Sequence, residues 1–378
     1  MFVINNLTRG ESYYIPYFPS SDFYDLYPQR VADIAQLSST LEAGILTKAK
    51  FIQGQGFEDE SLNDLKIDKE GTTLVKLLSQ LSEAFVRFGG FSMHLGVNGL
   101  LRYNNIKYAP FEIARLAQPK GTDKIDSIFL KYYYKQRFGE SNRSTEKKYI
   151  VEFPKFTTNK NEIKSQLVQY GNGKLRDFPG QIYWFGTPRS GNYYYPYPCY
   201  NSVLQDAITE ANLKLSKKYD IEDRFKGQLV IFKPIGNGGI SQEQRDQDKR
   251  DYSQFVAPDG SRVHIEYIPN TESKPEYVQL QPYELSKNYQ YAEESVQKNI
   301  RQSFGIPDIL YGFPTAGKLG TQNEIKEAIQ FTYTFVVDAE QRIIENALKE
   351  VLGNFHIKVN LDGLKIKDLT FNELTINT

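Results

Sequence analysis

Phe304-Gly305-Ile306-Pro307-Asp308-Ile309-Leu310-Tyr311-Gly312 separates two stretches whose apolar residues recur at helical spacing. Upstream, Leu285, Tyr289, Ala292, Val296, Asn299 and Ser303 follow one another at steps of three and four. That spacing puts them on one face of a helix over 284–304, with Glu293, Glu294, Lys298 and Arg301 facing away. Gly305 and Pro307 end this helix, because glycine accepts the left-handed turn that closes a helix and proline has no amide to continue it. Downstream, Ile325, Ala328, Ile329, Thr332, Phe335, Val336, Ala339, Ile343, Ala347 and Val351 predict a second helix. It is long for one globular helix and needs packing partners along its length.

Working back towards the N-terminus, Val203, Leu204, Ala207, Ile208, Ala211 and Leu215 predict a helix over 201–225 with one buried face. Asp206, Glu210, Lys214, Lys217 and Lys218 are expected on its wet side. A short apolar strand follows at 229–233, then a glycine turn at 236–239 and a strongly polar helix opened by Ser241 as N-cap. Prolines bound a polar excursion over 269–275, which reads as an exposed loop. In the first third, 1–20 reads as an extended Tyr/Pro-rich arm able to reach a neighbour, and helices are expected over 30–50 and 72–87. A hairpin pairing 91–97 with 100–103 turns at Asn98-Gly99. Between 108 and 193 short strands with alternating aromatics predict a separate β-rich unit, and after 352 two strand-like pieces, 357–361 and 364–374, finish the chain.

Charge is unevenly spread. The whole chain carries 46 Lys+Arg and 46 Asp+Glu, which argues against a protein whose task is to grip nucleic-acid phosphates. Residues 115–176, however, hold a net charge of about +8, whereas 239–283 are acidic in balance. With one cysteine no intrachain disulfide can form, and three scattered histidines, His94, His264 and His356, do not make a zinc site by themselves. The chain suits a reducing compartment, and no leader or membrane-spanning stretch is expected. The 27 tyrosines and 24 phenylalanines suit half-buried surfaces such as subunit contacts, although an A+T-rich genome produces the same enrichment.

Catalytic motifs fail on inspection. Residues 312–319 have the spacing of a phosphate-binding loop, but Leu319 stands where the magnesium-binding hydroxyl belongs and Pro314 removes an amide. A nucleotide-dependent enzyme with a degenerate loop there is the rival reading. Residues 236–239 lack a dinucleotide fingerprint and read as a flexible turn. The acids Glu243, Asp246, Asp248 and Asp251 sit among Arg245, Lys249 and Arg250, as on a solvated, ion-paired helix face. Cys199, after a proline and ahead of a helix, reads as a small buried residue. No catalytic, cofactor-binding or metal-binding residue is assigned.

The passage 304–312, the polar linker after it and the helices beyond resemble the portal proteins of tailed bacteriophages, in which a helix ends at a Phe-Gly-(Ile/Val)-Pro turn. Tyr194-Tyr195-Pro196-Tyr197-Pro198 ahead of the 201–225 helix, and the glycine turn with polar helix over 236–252, extend the likeness. Residues 39–57 and 85–101 match more loosely, so about half the chain carries it. The resemblance implies an α+β portal fold with wing, stem helices, β-rich clip and helical C-terminal crown. It implies an N-terminal arm and wing part over 1–107, stem entry and clip over 108–199, and a stem helix over 200–226. A wing part over 227–310 then holds a channel loop at 268–282 and the helix 284–304, and 311–378 form the crown. The function implied is a twelve-membered ring at one capsid vertex, the channel for DNA packaging and ejection, in a virion assembled in the host cytoplasm. The partners implied are the terminase large subunit, a head-tail connector or adaptor, the major capsid protein or scaffold, and double-stranded DNA passing without sequence preference; no membrane and no cofactor enter. On this basis Asn270, Glu272 and Lys274 are candidates for the channel loop, and Lys131, Lys135, Arg137, Lys147 and Lys148 for the docking surface of the clip. Another virion connector or baseplate subunit is the remaining alternative.

Overall fold

A computed structural model describes residues 14–17, 25–119, 124–132, 150–188, 194–222, 229–235, 240–253, 263–268, 276–279, 285–312 and 322–370. Two compact units divide the chain: Met1–Ala207 with Asn299–Thr378, and Ile208–Lys298.

The larger unit opens with α1 (Tyr27–Leu37), α2 (Ser39–Gln53), a one-turn α3 (Glu60–Asn63) and α4 (Leu74–Phe88). Ser38 separates the first two by accepting the Leu41 amide at 3.1 Å, an N-cap that satisfies one free amide of α2. Leu74, Leu77, Leu78, Leu81, Phe85 and Phe88 all point inward from α4, and Gly89 ends it at φ +76. There the chain turns directly into β1 (Gly90–Val97), followed by β2 (Tyr103–Ala109), β3 (Ala114–Leu116), β4 (Ser127–Lys131), β5 (Ile150–Pro154), α5 (Lys160–Gly171) and β6 (Gln181–Gly186). Strands β2-β1-β6 form one antiparallel sheet and β3-β4-β5 a second. Phe91 of β1 stacks on Phe185 of β6 and meets Phe85 of α4, which fixes the helix on the sheet. The arm segment reaches the edge of the second sheet, where Ile15 N–H donates to Leu116 O at 2.8 Å and Tyr14 bridges Ala117.

Beyond β6, α6 (Leu204–Glu222) leads into the smaller unit, with β7 (Leu229–Pro234), α7 (Gln242–Ser253), β8 (Val263–Ile268), β9 (Glu276–Gln279) and α8 (Leu285–Ser303). Its sheet runs β8-β7-β9, with β7 parallel to β8 across the α7 crossover and antiparallel to β9. Ser241 does cap α7: its Oγ accepts from Gln244 N–H while Gln244 Oε1 accepts from Ser241 N–H, each at 3.3 Å. Asp248 ties α7 to the sheet by accepting from Lys233 Nζ at 2.5 Å and Tyr267 Oη at 3.1 Å.

The chain then re-enters the larger unit through a 3-10 turn, Asp308–Tyr311, and a helix in three pieces: α9 (Gln322–Thr332), a π turn (Tyr333–Val337) and α10 (Asp338–Leu352). Tyr333 and Gln341 both donate to Phe51 O of α2, and Lys48 of α2 pairs with Glu340 at 2.7 Å. After α10 the chain returns to the start of the unit, where Ile366 bridges Phe57 and donates its amide to the buried Glu345.

Several expectations change. The hairpin over 91–97 and 100–103 is a longer pair, β1 with β2, joined by a turn in which Asn98 Oδ1 accepts the amides of Leu100 and Arg102. The stretch 108–193 is not a unit of its own, since β6 completes the sheet begun by β1 and both lie in the larger unit. Residues 357–361 are not a strand. On α6, Ala207 is buried and Lys214 and Lys218 are exposed as expected, but two residues depart from the expected faces: Glu210 is fully buried beside Lys214 at 2.9 Å and Leu215 is exposed. At the end of α8 the buried stripe is Ile300 and Phe304, one position on from the expected Asn299 and Ser303; Asn299 is exposed. The stripe of the last helix also slips. A 3.6-residue period carried through 332–339 puts Phe335 and Ala339 inside, but the π turn adds a residue, so Tyr333 and Val337 are buried and Phe335 and Ala339 are exposed.

Tyrosines are core as well as surface residues. Tyr17, Tyr103, Tyr195 and Tyr200 are all buried. Each hydroxyl has an acceptor: Tyr17 donates to Pro196 O at 2.6 Å, Tyr195 to Ile15 O at 2.5 Å, Tyr200 to Arg87 O at 2.7 Å and Tyr103 to Gln181 Oε1 at 2.7 Å. Burial raises the phenols of Tyr17, Tyr195 and Tyr200 well above the ordinary value near 10. These groups stabilise the fold fully below pH 10 and lose that contribution as pH rises, because the unfolded chain ionises first. Phenolate absorbance is therefore expected in two phases during alkaline titration, exposed rings near pH 10 and the buried set only with the loss of circular dichroism. A single phase near pH 10 with the fold intact would contradict this burial.

Candidate functional site

The turn that decided the sequence reading is seated on a bare stretch of α2. Phe304, buried, lies so close to Gly44 that a Cβ there would overlap its ring, and it meets Tyr200 at 5.5 Å between centroids. Gly305 takes φ +70 and Gly312 φ +81, the left-handed conformations that favour glycine at both ends of the turn. Arg301 Nε donates to Asp308 Oδ1 at 2.9 Å, pinning the 3-10 turn to the end of α8. Gly312 thus closes a 3-10 turn and follows no strand, which removes the structural context a phosphate-binding loop requires. Residues 313–319 lie outside the described residues.

The docking candidates divide. Lys131 is 1% exposed, so it does not belong to a docking surface. It reaches Asp25 Oδ2 at 2.7 Å and Tyr14 Oη at 2.8 Å, while Arg115, 0% exposed, donates through Nε to Asp25 at 2.8 Å and through Nη2 to Asp25 O at 2.9 Å. A single carboxylate thus holds two buried cations, and with Tyr17 N–H donating to it as well, it fastens the arm to the second sheet. The alternation of β4 alone does not reveal this, because the acid comes from 106 residues away. Lys135, Arg137, Lys147 and Lys148 lie outside the described residues, as do Asn270, Glu272 and Lys274. The described part of the basic stretch presents Lys155, Lys160, Lys164, Lys174 and Arg176 to solvent on and around α5.

Two concave sites in the larger unit are open and mixed in polarity. A groove of about 450 Å³ between α1, α4 and the end of β2 is lined by Gln29, Asp33, Glu83, Arg87 and Glu112. Arg87 is held by both Glu42 oxygens at 2.9 and 2.7 Å and by Glu83 at 3.0 Å. Neither histidine nor cysteine lines it. His94 is half-buried, with Nε2 2.6 Å from Pro179 O and its ring edge-on to Phe153, and desolvation holds its pKa below the ordinary value. Cys199 Sγ lies 4.0 Å from Lys48 Nζ. Among the described residues no three His, Cys, Asp or Glu side chains converge as metal ligands, and no helix is long and apolar enough to cross a membrane.

The larger unit also exposes a pair of aromatic rings in contact. Phe331 and Phe335, 47% and 73% exposed, touch each other at 4.9 Å between centroids on the outer side of the π turn.

No protein-family model matches the chain, and no curated protein matches it. Solved structures do. A chain of the virion of a native gene transfer agent particle aligns with a TM-score of 0.53 at 11% identity, over 90% of this chain and 82% of its own. A chain from the neck of the empty particle, computed with C6 symmetry, gives 0.53 at 10% identity, over 93% and 86%. The crystal structure of an HK97 family phage portal protein from Corynebacterium diphtheriae aligns at 0.46 and 8% identity, over 86% and 90%. The chain is mixed helix and sheet, as expected, and across most of its length it has the fold of a chain built into the gene transfer agent virion.

Proposed function

We propose that this chain is a portal-type subunit, forming a ring at one vertex of a phage or phage-like particle through which double-stranded DNA is packaged and ejected. The observation that carries this reading is the fold shared with the virion and neck chains of the gene transfer agent over about nine-tenths of the sequence. The helix–turn–helix passage at 304–312, seated on Gly44, supports it. So does the charge pattern: a channel that lets any sequence slide must not hold phosphates tightly, and a chain of zero net charge has little accumulated positive field.

The finer roles belong to the same proposal. The loop over 268–282, with Asn270, Glu272 and Lys274, faces the duplex. The terminase large subunit and the head-tail connector dock on the basic stretch that includes Lys135, Arg137, Lys147 and Lys148, and capsid or scaffold protein surrounds the ring. The assembled form works in the virion and carries no catalytic residue. Electron microscopy of purified protein tests the ring: end-on views with a central hole are expected, and a chain that remains monomeric at high concentration sinks the proposal. Charge reversal at Glu272 or Lys274 is expected to impair packaging or retention of DNA while rings still form. Normal packaging by both variants removes the loop from the channel.

A further inference from the structure

We infer that the Phe331–Phe335 ridge of one copy packs against the outer face of α2 on the next copy, with Glu327 meeting Lys50 across the contact. This rests on the ring reading above and names the surfaces that would close it.

The first observation is an irregularity with no internal use for its outer residues. The π turn keeps Tyr333 and Val337 in the core, with Tyr333 Oη accepting the Leu369 amide at 2.7 Å. At the same step it turns Phe331 and Phe335 outward as a touching pair, followed by exposed Ala339. π turns are rare and recur at functional sites. Two exposed phenylalanines on one turn form an apolar patch that binding partners of soluble proteins cover.

The second observation is a matching face on the other side of the same layer. On α2, Leu41, Ile45, Lys48 and Ile52 are buried, and Phe51, Ile52 and Lys48 make the contacts to Tyr333, Gln341 and Glu340. The residues opposite, Ser39, Ala43, Leu46 and Lys50, form an exposed stripe in which Leu46 is 43% exposed. The two helices thus meet through their inner sides, and their outer ridges point away from each other. A head-to-tail ring needs this arrangement, because each copy must offer two different complementary surfaces to its two neighbours.

Charge complementarity selects a second copy as the occupant. Glu327 is exposed four residues before Phe331, and Lys50 is exposed four residues after Leu46, so each charge stands about 6 Å, one turn, beyond the apolar side chain. Antiparallel packing of the two stripes brings the acid onto the ammonium while Leu46 enters beside the phenylalanines. Charge pairs at the rim of such a contact fix its register.

The test measures assembly by mass photometry and negative-stain imaging across protein concentration, with circular dichroism and thermal unfolding as controls of the fold. Phe335→Asp and Leu46→Asp are each expected to raise the concentration for half-assembly at least about tenfold with unchanged circular dichroism. Glu327→Lys and Lys50→Glu, both at exposed sites that leave the core intact, are each expected to weaken assembly, and the double variant to restore it. Rings formed by all four single variants at the wild-type concentration overturn this interface and leave the ring reading standing. A wild-type chain that forms no ring overturns both.

Discussion

Asp25→Ala is expected to lower the unfolding free energy by about 3–5 kcal/mol. Its carboxylate touches Arg115 and Lys131, both buried, and also accepts the Tyr17 amide. Removing it leaves two desolvated cations without the anion between them, and it releases the arm from the edge of β3. Asp25 also sits at φ +54, a left-handed conformation that aspartate and asparagine tolerate better than alanine. Asp25→Asn keeps that tolerance and nearly the same shape, so comparing the two variants in urea unfolding separates charge from backbone. Equal stability of wild type and both variants would show that the cations do not depend on this carboxylate.

Phe304→Ala is expected to cost about 3–5 kcal/mol, because a fully packed aromatic ring is removed from between α2 and Tyr200. The site is specified from both sides. Gly44→Ala would push a methyl into the same ring and is expected to destabilise by about 1–3 kcal/mol through overpacking. If the contact is as described, the double variant Gly44→Ala with Phe304→Leu is less destabilised than the two single effects added together, since the smaller side chain makes room. Strict additivity in denaturant unfolding would argue that the two residues are not in contact.

The order of helices and short strands, and the break at Gly305 and Pro307, were legible because they depend on local chemistry: apolar spacing, caps and turn residues. Ser241 and Gly89 act as such signals and appear where the residue types call for them, whereas Ser38 breaks the single helix expected over 30–50 into α1 and α2. The pairing of strands was not legible, since β6 joins β1 across more than eighty residues and no local pattern records that partner. Lys131 shows the same limit at the level of a site. A lysine on a short strand in a basic stretch reads as surface until Asp25, distant in sequence, is found against it. Periodicity failed in the last helix for a different reason, because a template with one fixed period cannot register an added residue. Phe335 was therefore counted as core, and its exposed pairing with Phe331, which lay outside the expected stripe, was hidden.

The π turn also makes the last helix a gearing between two angular settings. α9 and α10 are one continuous rod, yet the side chains after Val337 are rotated by roughly 100° from where an unbroken α-helix would aim them, the rotation of a single residue. By the same arithmetic, losing one residue within Tyr333–Val337 would close the turn into a regular α-helix that keeps Ile344, Leu348 and Val351 on the core, whereas gaining one there would carry them off it. Indels in this part of the chain are therefore constrained by rotational phase as well as by length.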